Sequence, residues 1–235
     1  MITRARLVLS LFPGIGLFDR AFEQAGFTIV RGPDALWGGD IRNFHVPAGV
    51  FGGVIGGPPC QRFSTAGNIV GSEALDLVPE FVRIVREAAP LWGVMENVRQ
   101  TAGHPAIPRG WIYSTLRDYD CGGETERTRA FWHWPFLMLA PSRAPGDAAY
   151  SVLASTWKRG GSRYAADKGF LAGNLPVAEY ARLQGAEDVG AALKEFGASR
   201  AFAVHVLGNG VPLAMGRHIA AAARAYVEHA ERLGI

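Results

Sequence analysis

The chain has 235 residues, of which 49% are hydrophobic, enough for one domain with a substantial core or one domain carrying a small insertion. It holds no run approaching the ~18 uninterrupted apolar residues that span a bilayer, and Met1-Ile2-Thr3-Arg4-Ala5-Arg6 lacks a signal-peptide plan, so a soluble cytoplasmic protein is expected, with no membrane partner. Two cysteines cannot build a disulfide framework and no Cys/His spacing suggests zinc, so no metal is expected, while a formal charge of +3 permits an anionic partner without identifying one.

From Arg6 to Leu11 the apolar run reads as a buried strand of parallel type. Pro13-Gly14-Ile15-Gly16 turns it into a helix with Phe18, Ala21, Phe22 and Ala25 on one face. A second strand is expected from Phe27 to Val30, and a third from Val50 to Ile55. Leu75 to Ala89 has helical periodicity, and Leu91 to Met95 reads as a strand that delivers Glu96. Arg127 and Arg129 alternate on a strand pattern, so both point to one face, and two like charges on one face want an anion. Residues 133–173 are rich in Pro, Gly, Ser and basic side chains, including Lys158, Arg159 and Arg163, and read either as a solvated loop or as a phosphate-contacting surface. A helix begun near Pro176 should run to Gln184, and a long alanine-rich helix pattern from Val211 to Leu233 is interrupted at Gly216. Alternating strands and helices predict a doubly wound, Rossmann-like α/β sheet with a small irregular insertion, its ligands gathered at the carboxyl ends of the strands. Three regions are expected: a ligand-binding core over 1–132, a short region over 133–185 able to dock an anionic partner, and a segment over 186–235 that returns to the core.

Gly56-Gly57-Pro58-Pro59-Cys60-Gln61-Arg62-Phe63-Ser64 is the most informative run. Two glycines permit close backbone approach and two prolines fix the backbone, so Cys60 is presented rather than packed. Thiolate chemistry needs a free pKa of roughly 8.5 to be lowered by neighbouring positive charge, for which Arg62, Arg127 and Arg129 are candidates. The competing reading is a buried structural cysteine.

This run and three others resemble, in order, the motifs of the DNA cytosine-5 methyltransferase family. Leu9-Ser10-Leu11-Phe12-Pro13-Gly14-Ile15-Gly16-Leu17-Phe18 resembles its cofactor loop. Met95-Glu96-Asn97-Val98-Arg99 resembles its Glu-Asn-Val motif, and Gly208-Asn209-Gly210-Val211-Pro212 its last motif. The resemblance implies a Rossmann-like methyltransferase sheet, S-adenosyl-L-methionine as cofactor and double-stranded DNA as partner. It assigns Phe12, Gly14, Ile15, Gly16, Asp34, Asp40, Ile41, Pro58, Asn209 and Val211 to the cofactor, with Asp34 as the ribose acid. Asp40 would contact the adenine amino group, although a helix cap before Ile41-Arg42-Asn43 is an alternative. Cys60 would add to carbon 6 of the ring, and Glu96 would serve ring nitrogen 3 as an acid of raised pKa. Arg127 and Arg129 would support the catalytic loop and the pyrimidine carbonyl. Thr125 and Glu124 depart from the family's usual Gln and Pro at this motif. Gln61, Ser64, Arg99, Lys158, Arg159 and Arg163 are assigned to DNA.

The target base must leave the duplex stack to be reached. The interval over 133–173 is short for a full recognition domain, which implies short or relaxed specificity or help from a protein partner, and fits a restriction-modification or phage setting. An RNA acceptor, or a catalytically silent DNA-binding relative, are the alternatives.

Overall fold

The computed structural model describes residues 3–59, 75–142 and 175–234. Cys60, Gln61 and Ser64 lie outside them, as do Lys158, Arg159 and Arg163.

Six strands form one sheet in the order β2-β1-β3-β4-β6-β5: β1 (Leu7–Leu11), β2 (Thr28–Arg31), β3 (Gly53–Gly56), β4 (Trp92–Asn97), β5 (Ile112–Arg117) and β6 (Thr128–Trp134). β1 pairs in parallel with both β2 and β3, and β3 in parallel with β4, which is the α/β sheet that the alternation of elements predicts. β6 runs antiparallel to both β4 and β5, so the sheet is mixed. The sequence reading had no strand over β5, whose residues Ile-Tyr-Ser-Thr-Leu-Arg carry little apolar signal because β5 is an edge strand. Stacking of Trp111 on Trp134, with centroids 4.0 Å apart, holds it there.

Side chains alternate across the sheet and build a core on each face. Val8, Ile55, Val94 and Phe131 face α1 (Leu17–Gln24) and the C-terminal helix Leu213–Leu233, while Leu9, Val54, Met95 and Ala130 face α2 (Val78–Ala88). Phe22 of α1 stacks on Trp92 at 5.8 Å, and its complete burial is worth about 1.5–3 kcal/mol. The first two strands, the α2 helix and β4 all fall within a few residues of their predicted bounds, while β3 starts at Gly53 instead of Val50.

Three short helices, α3 (Val177–Gln184), α4 (Glu187–Glu195) and α5 (Arg200–Asn209), precede the C-terminal helix, α6 (Leu213–Leu233), and pack through Tyr180, Ala181, Leu183, Val204 and Leu207 onto Leu17 at the start of α1. α3 matches its predicted span. α4 and α5 had no counterpart in the sequence reading, where only the Gly208-Asn209-Gly210-Val211-Pro212 run stood out. α6 is continuous through Gly216, contrary to the expected interruption. The glycine there serves packing: a Cβ would lie 2.9 Å from the Ala21 Cβ, so its absence lets α6 approach α1.

Candidate active site

Register brings the carboxyl ends of three strands side by side. Leu11 lies opposite Gly56, and Gly56 opposite Met95, so the chain after β1, the Gly57-Pro58-Pro59 run and Glu96 meet at one edge of the sheet. A cavity of about 430 Å³ opens there. Its wall includes Phe12, Gly14, Ile15, Asp34, Pro58, Glu96, Arg129, Asn209 and Val211, all of them candidates from the sequence.

The glycine turn is built by backbone sign. Phe12, Gly14 and Gly16 all have positive φ, at 56°, 55° and 75°, and Gly16 is the N-cap of α1. The two glycines take this region freely; Phe12 does not, and a strained residue lining a cavity is the kind of outlier that marks a binding site. The turn is braced from two sides. Asp34 accepts from the Gly14 amide at 2.9 Å and from Leu36 N at 2.7 Å, and the Trp37 indole donates to the Gly14 carbonyl at 3.0 Å. Beneath it, fully buried Asp19 accepts from Ser10 and, at 2.7 Å, from Arg31. Burial pushes the Asp19 carboxyl above its ordinary value, against the pull of Ser10 and Arg31.

Asp40 and Ile41 stand apart from the cavity wall, as does Gly16. Asp40 caps the short 3-10 helix Ile41–Asn43, accepting from Arg42 N at 2.9 Å and from the Arg42 guanidinium at 2.7 Å, which holds its carboxyl down at about 2. The helix-cap alternative is the geometry seen. Ile41 is buried in the core on the α2 side of the sheet.

The acid of the site is Glu96. Arg129 Nε lies 2.8 Å from Glu96 Oε1. Burial pushes the Glu96 carboxyl above its ordinary value of 4.5, opposed by the charges of Arg129 and Arg127. The anion that two arginines on one face require is therefore supplied by the protein itself. Arg129 forms the ion pair with it; Arg127 is 1% exposed and its Nη2 donates to the carbonyls of Gly208 at 2.7 Å and Gly210 at 3.2 Å. That contact follows from the long-range return of α5 to this edge, while the catalytic loop that Arg127 was expected to support lies outside the described residues. Asn97, buried, ties the neighbouring loop: its Nδ2 donates to the Pro58 carbonyl at 3.1 Å, and its Oδ1 accepts from Val98 N and Thr101 Oγ1. The backbone just before Cys60 is thus pinned to the strand that carries Glu96. Arg99 is exposed beside Val98 of the cavity wall.

Cys121 is not a rival nucleophile. Burial, with Asp118 and Asp120 adding repulsion, pushes its thiol up to about 12, so it stays protonated at neutral pH.

Gly57 is where backbone and acid come closest. A Cβ on it would lie 2.8 Å from Glu96 Oε2. Gly57→Ala is expected to displace the carboxyl from Arg129, and a shift near 1 Å at reacting groups costs about 10²-fold in rate. Steady-state turnover beside an unchanged circular dichroism spectrum checks this, and undiminished turnover would refute the close approach.

His205, which the sequence reading missed, also lines the cavity. It lies 3.1 Å from Asn209 Nδ2, one helical turn away on α5. The only signal available was its spacing of four from Asn209, which has meaning only once α5 is recognised.

A family profile described as C-5 cytosine-specific DNA methylase matches residues 38–108. The Type II methyltransferase M.HgiGI of Herpetosiphon aurantiacus is 37% identical over 114 residues, which cover 39% of this chain and 90% of that protein. The chain belongs to the C-5 cytosine-specific DNA methylase family. Among other family members, Type II methyltransferase M1.HphI of Haemophilus parahaemolyticus is 51% identical over 123 residues, or 41% of this chain and 33% of that one. M.NgoPII of Neisseria gonorrhoeae is 30% identical over 145 residues, covering 52% and 42%. The chain spans less than half the length of several curated relatives it matches, 42%, 48% and 32% of three of them. Solved structures extend the likeness of fold to nearly the whole chain. A prophage-encoded DNA modification methyltransferase of E. coli has a TM-score of 0.63 at 16% identity, covering 94% of this chain and 98% of that one. The Entamoeba histolytica methyltransferase EhMeth has a TM-score of 0.62 at 11% identity, covering 97% and 98%. The sheet is accordingly the methyltransferase sheet expected from the sequence.

Among the described residues no helix is long and apolar enough to cross a membrane, and no three His, Cys, Asp or Glu side chains gather to hold a metal ion.

Proposed function

We propose that the protein transfers a methyl group from S-adenosyl-L-methionine to carbon 5 of cytosine in double-stranded DNA. The observation that carries this reading is the placement of Glu96: a buried carboxyl of raised pKa, held by Arg129, packed against Gly57 two residues before the Pro59-Cys60 bond. The family description and the Type II names of the matched relatives favour DNA as acceptor and a restriction-modification setting.

The cavity suits the cofactor. Its volume of about 430 Å³ lies in the range of small-molecule sites, roughly 300–1,000 Å³. Phe12, Ile15, Leu36 and Val211 offer apolar walls for a purine, and Asp34 and Asn209 offer polar groups for a ribose and an amino acid moiety. A Cβ on Gly14 would meet nothing within 4 Å, so the backbone of the turn is open to close approach. When bound, the cofactor supplies an electrophilic methyl on a sulfonium.

Cytosine carbon 5 is too poor a nucleophile to take that methyl unaided. The Cys60 thiolate adds to carbon 6, and the electron pair displaced into the ring makes carbon 5 enamine-like. Glu96 delivers a proton to ring nitrogen 3 as charge develops there, which a carboxyl of raised pKa can do. Arg129 orients Glu96 and keeps the conjugate carboxylate neutralised after the proton has left. Carbon 5 takes the methyl as the methyl–sulfur bond breaks and the cofactor leaves as its neutral thioether; the carbon 5 proton passes to solvent, expulsion of the thiolate restores the aromatic ring, and the proton on nitrogen 3 returns to Glu96. The flipped base is offset by phosphate contacts, to which we assign exposed Arg99 and the basic residues Lys158, Arg159 and Arg163.

The test is transfer of labelled methyl from S-adenosylmethionine to unmethylated genomic DNA, with bisulfite sequencing of the product. Discrete 5-methylcytosine sites support the reading and give the recognised sequence. Transfer to RNA alone would replace the acceptor, and cofactor binding without transfer to either would leave a silent relative.

A further inference from the structure

Arg127 makes no ion pair with Glu96 among the described contacts, though its charge acts on that carboxyl, and it is among the largest fully buried side chains of the described residues. Its Nη2 meets a helix end. The last carbonyls of an α-helix have no partner within the helix and carry partial negative charge, so a cation satisfies them on both counts. Arg127 Nη2 takes the Gly208 carbonyl, in the last turn of α5, and the Gly210 carbonyl just beyond it. Gln184 of α3 takes the adjacent Leu207 carbonyl at 2.8 Å. These three carbonyls bracket Asn209, which with Val211 walls the cavity.

The arginine is itself firmly seated. Its carbonyl accepts from Asp118 N at 2.8 Å, and fully buried Asp118 accepts from Thr125 N at 3.0 Å and Thr125 Oγ1 at 2.7 Å. The Asp118 carboxylate lies within electrostatic reach of the Arg127 charge. Thr125, where the family has Gln, thus braces the turn that offers the cation.

We infer that Arg127 is a positioning residue for the cofactor: it latches the α5–α6 junction onto the sheet and so keeps the Asn209–Val211 wall in place. The inference rests on the proposed cofactor reading of the cavity. It separates the two arginines of the motif, Arg129 acting on the acid and Arg127 on the cofactor wall.

The experiment is calorimetric S-adenosylmethionine affinity of the full chain for wild type, Arg127→Met and Arg127→Lys, together with kcat and KM for the cofactor. Arg127→Met is expected to weaken binding about tenfold, the worth of one hydrogen bond from a charged donor, with kcat at saturating cofactor largely retained. Arg127→Lys, keeping the charge with a single ammonium, should fall between. Unchanged affinity in Arg127→Met, or a loss confined to kcat, overturns the latch. Should Arg127→Met not fold, amide hydrogen exchange in Arg127→Lys decides: faster exchange over residues 205–213 with β4 and β6 unchanged supports it, and wild-type exchange there overturns it. Failure of the wild type to bind the cofactor would sink the cofactor reading alone, and the exchange measurement would still judge the latch.

Discussion

Cys60→Ala is expected to lose methyl transfer on the order of 10⁴-fold to 10⁶-fold, the scale reached when a covalent nucleophile is deleted. The size follows from the chemistry, because without addition at carbon 6 the ring stays aromatic and carbon 5 cannot attack the methyl. Cofactor binding should survive. The walls formed by Phe12, Asp34, Asn209 and Val211 come from other segments, and the Asn97 bond to the Pro58 carbonyl holds the backbone before residue 60 whatever side chain follows. Methyl-transfer kinetics and calorimetry on the same preparation check both halves. Residual turnover within tenfold of wild type would mean that the nucleophile lies elsewhere, and Cys121 cannot stand in, its thiol pushed up to about 12.

Glu96→Gln should lower kcat by about 10²-fold to 10⁴-fold, the usual contribution of a positioned general acid. Glutamine keeps the shape and can still accept from Arg129, so the loss isolates the proton. The pH profile carries the sharper test. Because burial raises the folded pKa of Glu96 above 4.5, the protonated form persists to higher pH than in a free chain, and turnover should fall as pH rises through the raised value. Glu96→Gln should lack this fall. Stability has the same sign: the advantage of burying a neutral carboxyl is fully present below 4.5 and is lost as pH rises through the folded pKa. Wild type should therefore weaken relative to Glu96→Gln as pH is raised, in denaturant titrations at several pH values. A wild-type profile superimposable on that of Glu96→Gln would remove Glu96 from the acid role.

The candidate residues that line the cavity were legible because each sits in a local pattern. Apolar strands before Phe12, Gly57 and Glu96, glycines where φ turns positive and prolines ahead of Cys60 are features of contiguous chain, and local chain alone dictates them. Four such runs in order sufficed to place the chain among cytosine-5 methylases. What side chains touch across the sheet was another matter. Asp40 was legible either as a cap or as a cofactor contact, and the cap geometry is what folding produced, through the Arg42 two residues away. Arg127 and Arg129 looked equivalent at spacing two, yet one meets Glu96 and the other the carbonyls at the end of α5, some eighty residues further along the chain. The antiparallel β5–β6 end, the unbroken α6 and the arrival of His205 at the cavity were likewise decided by tertiary packing. Local sequence determines which conformations and chemistries a segment offers; the partner that satisfies a buried charge or an unpaired carbonyl is chosen only when distant segments compete for the same interior, where leaving either unmet is costly.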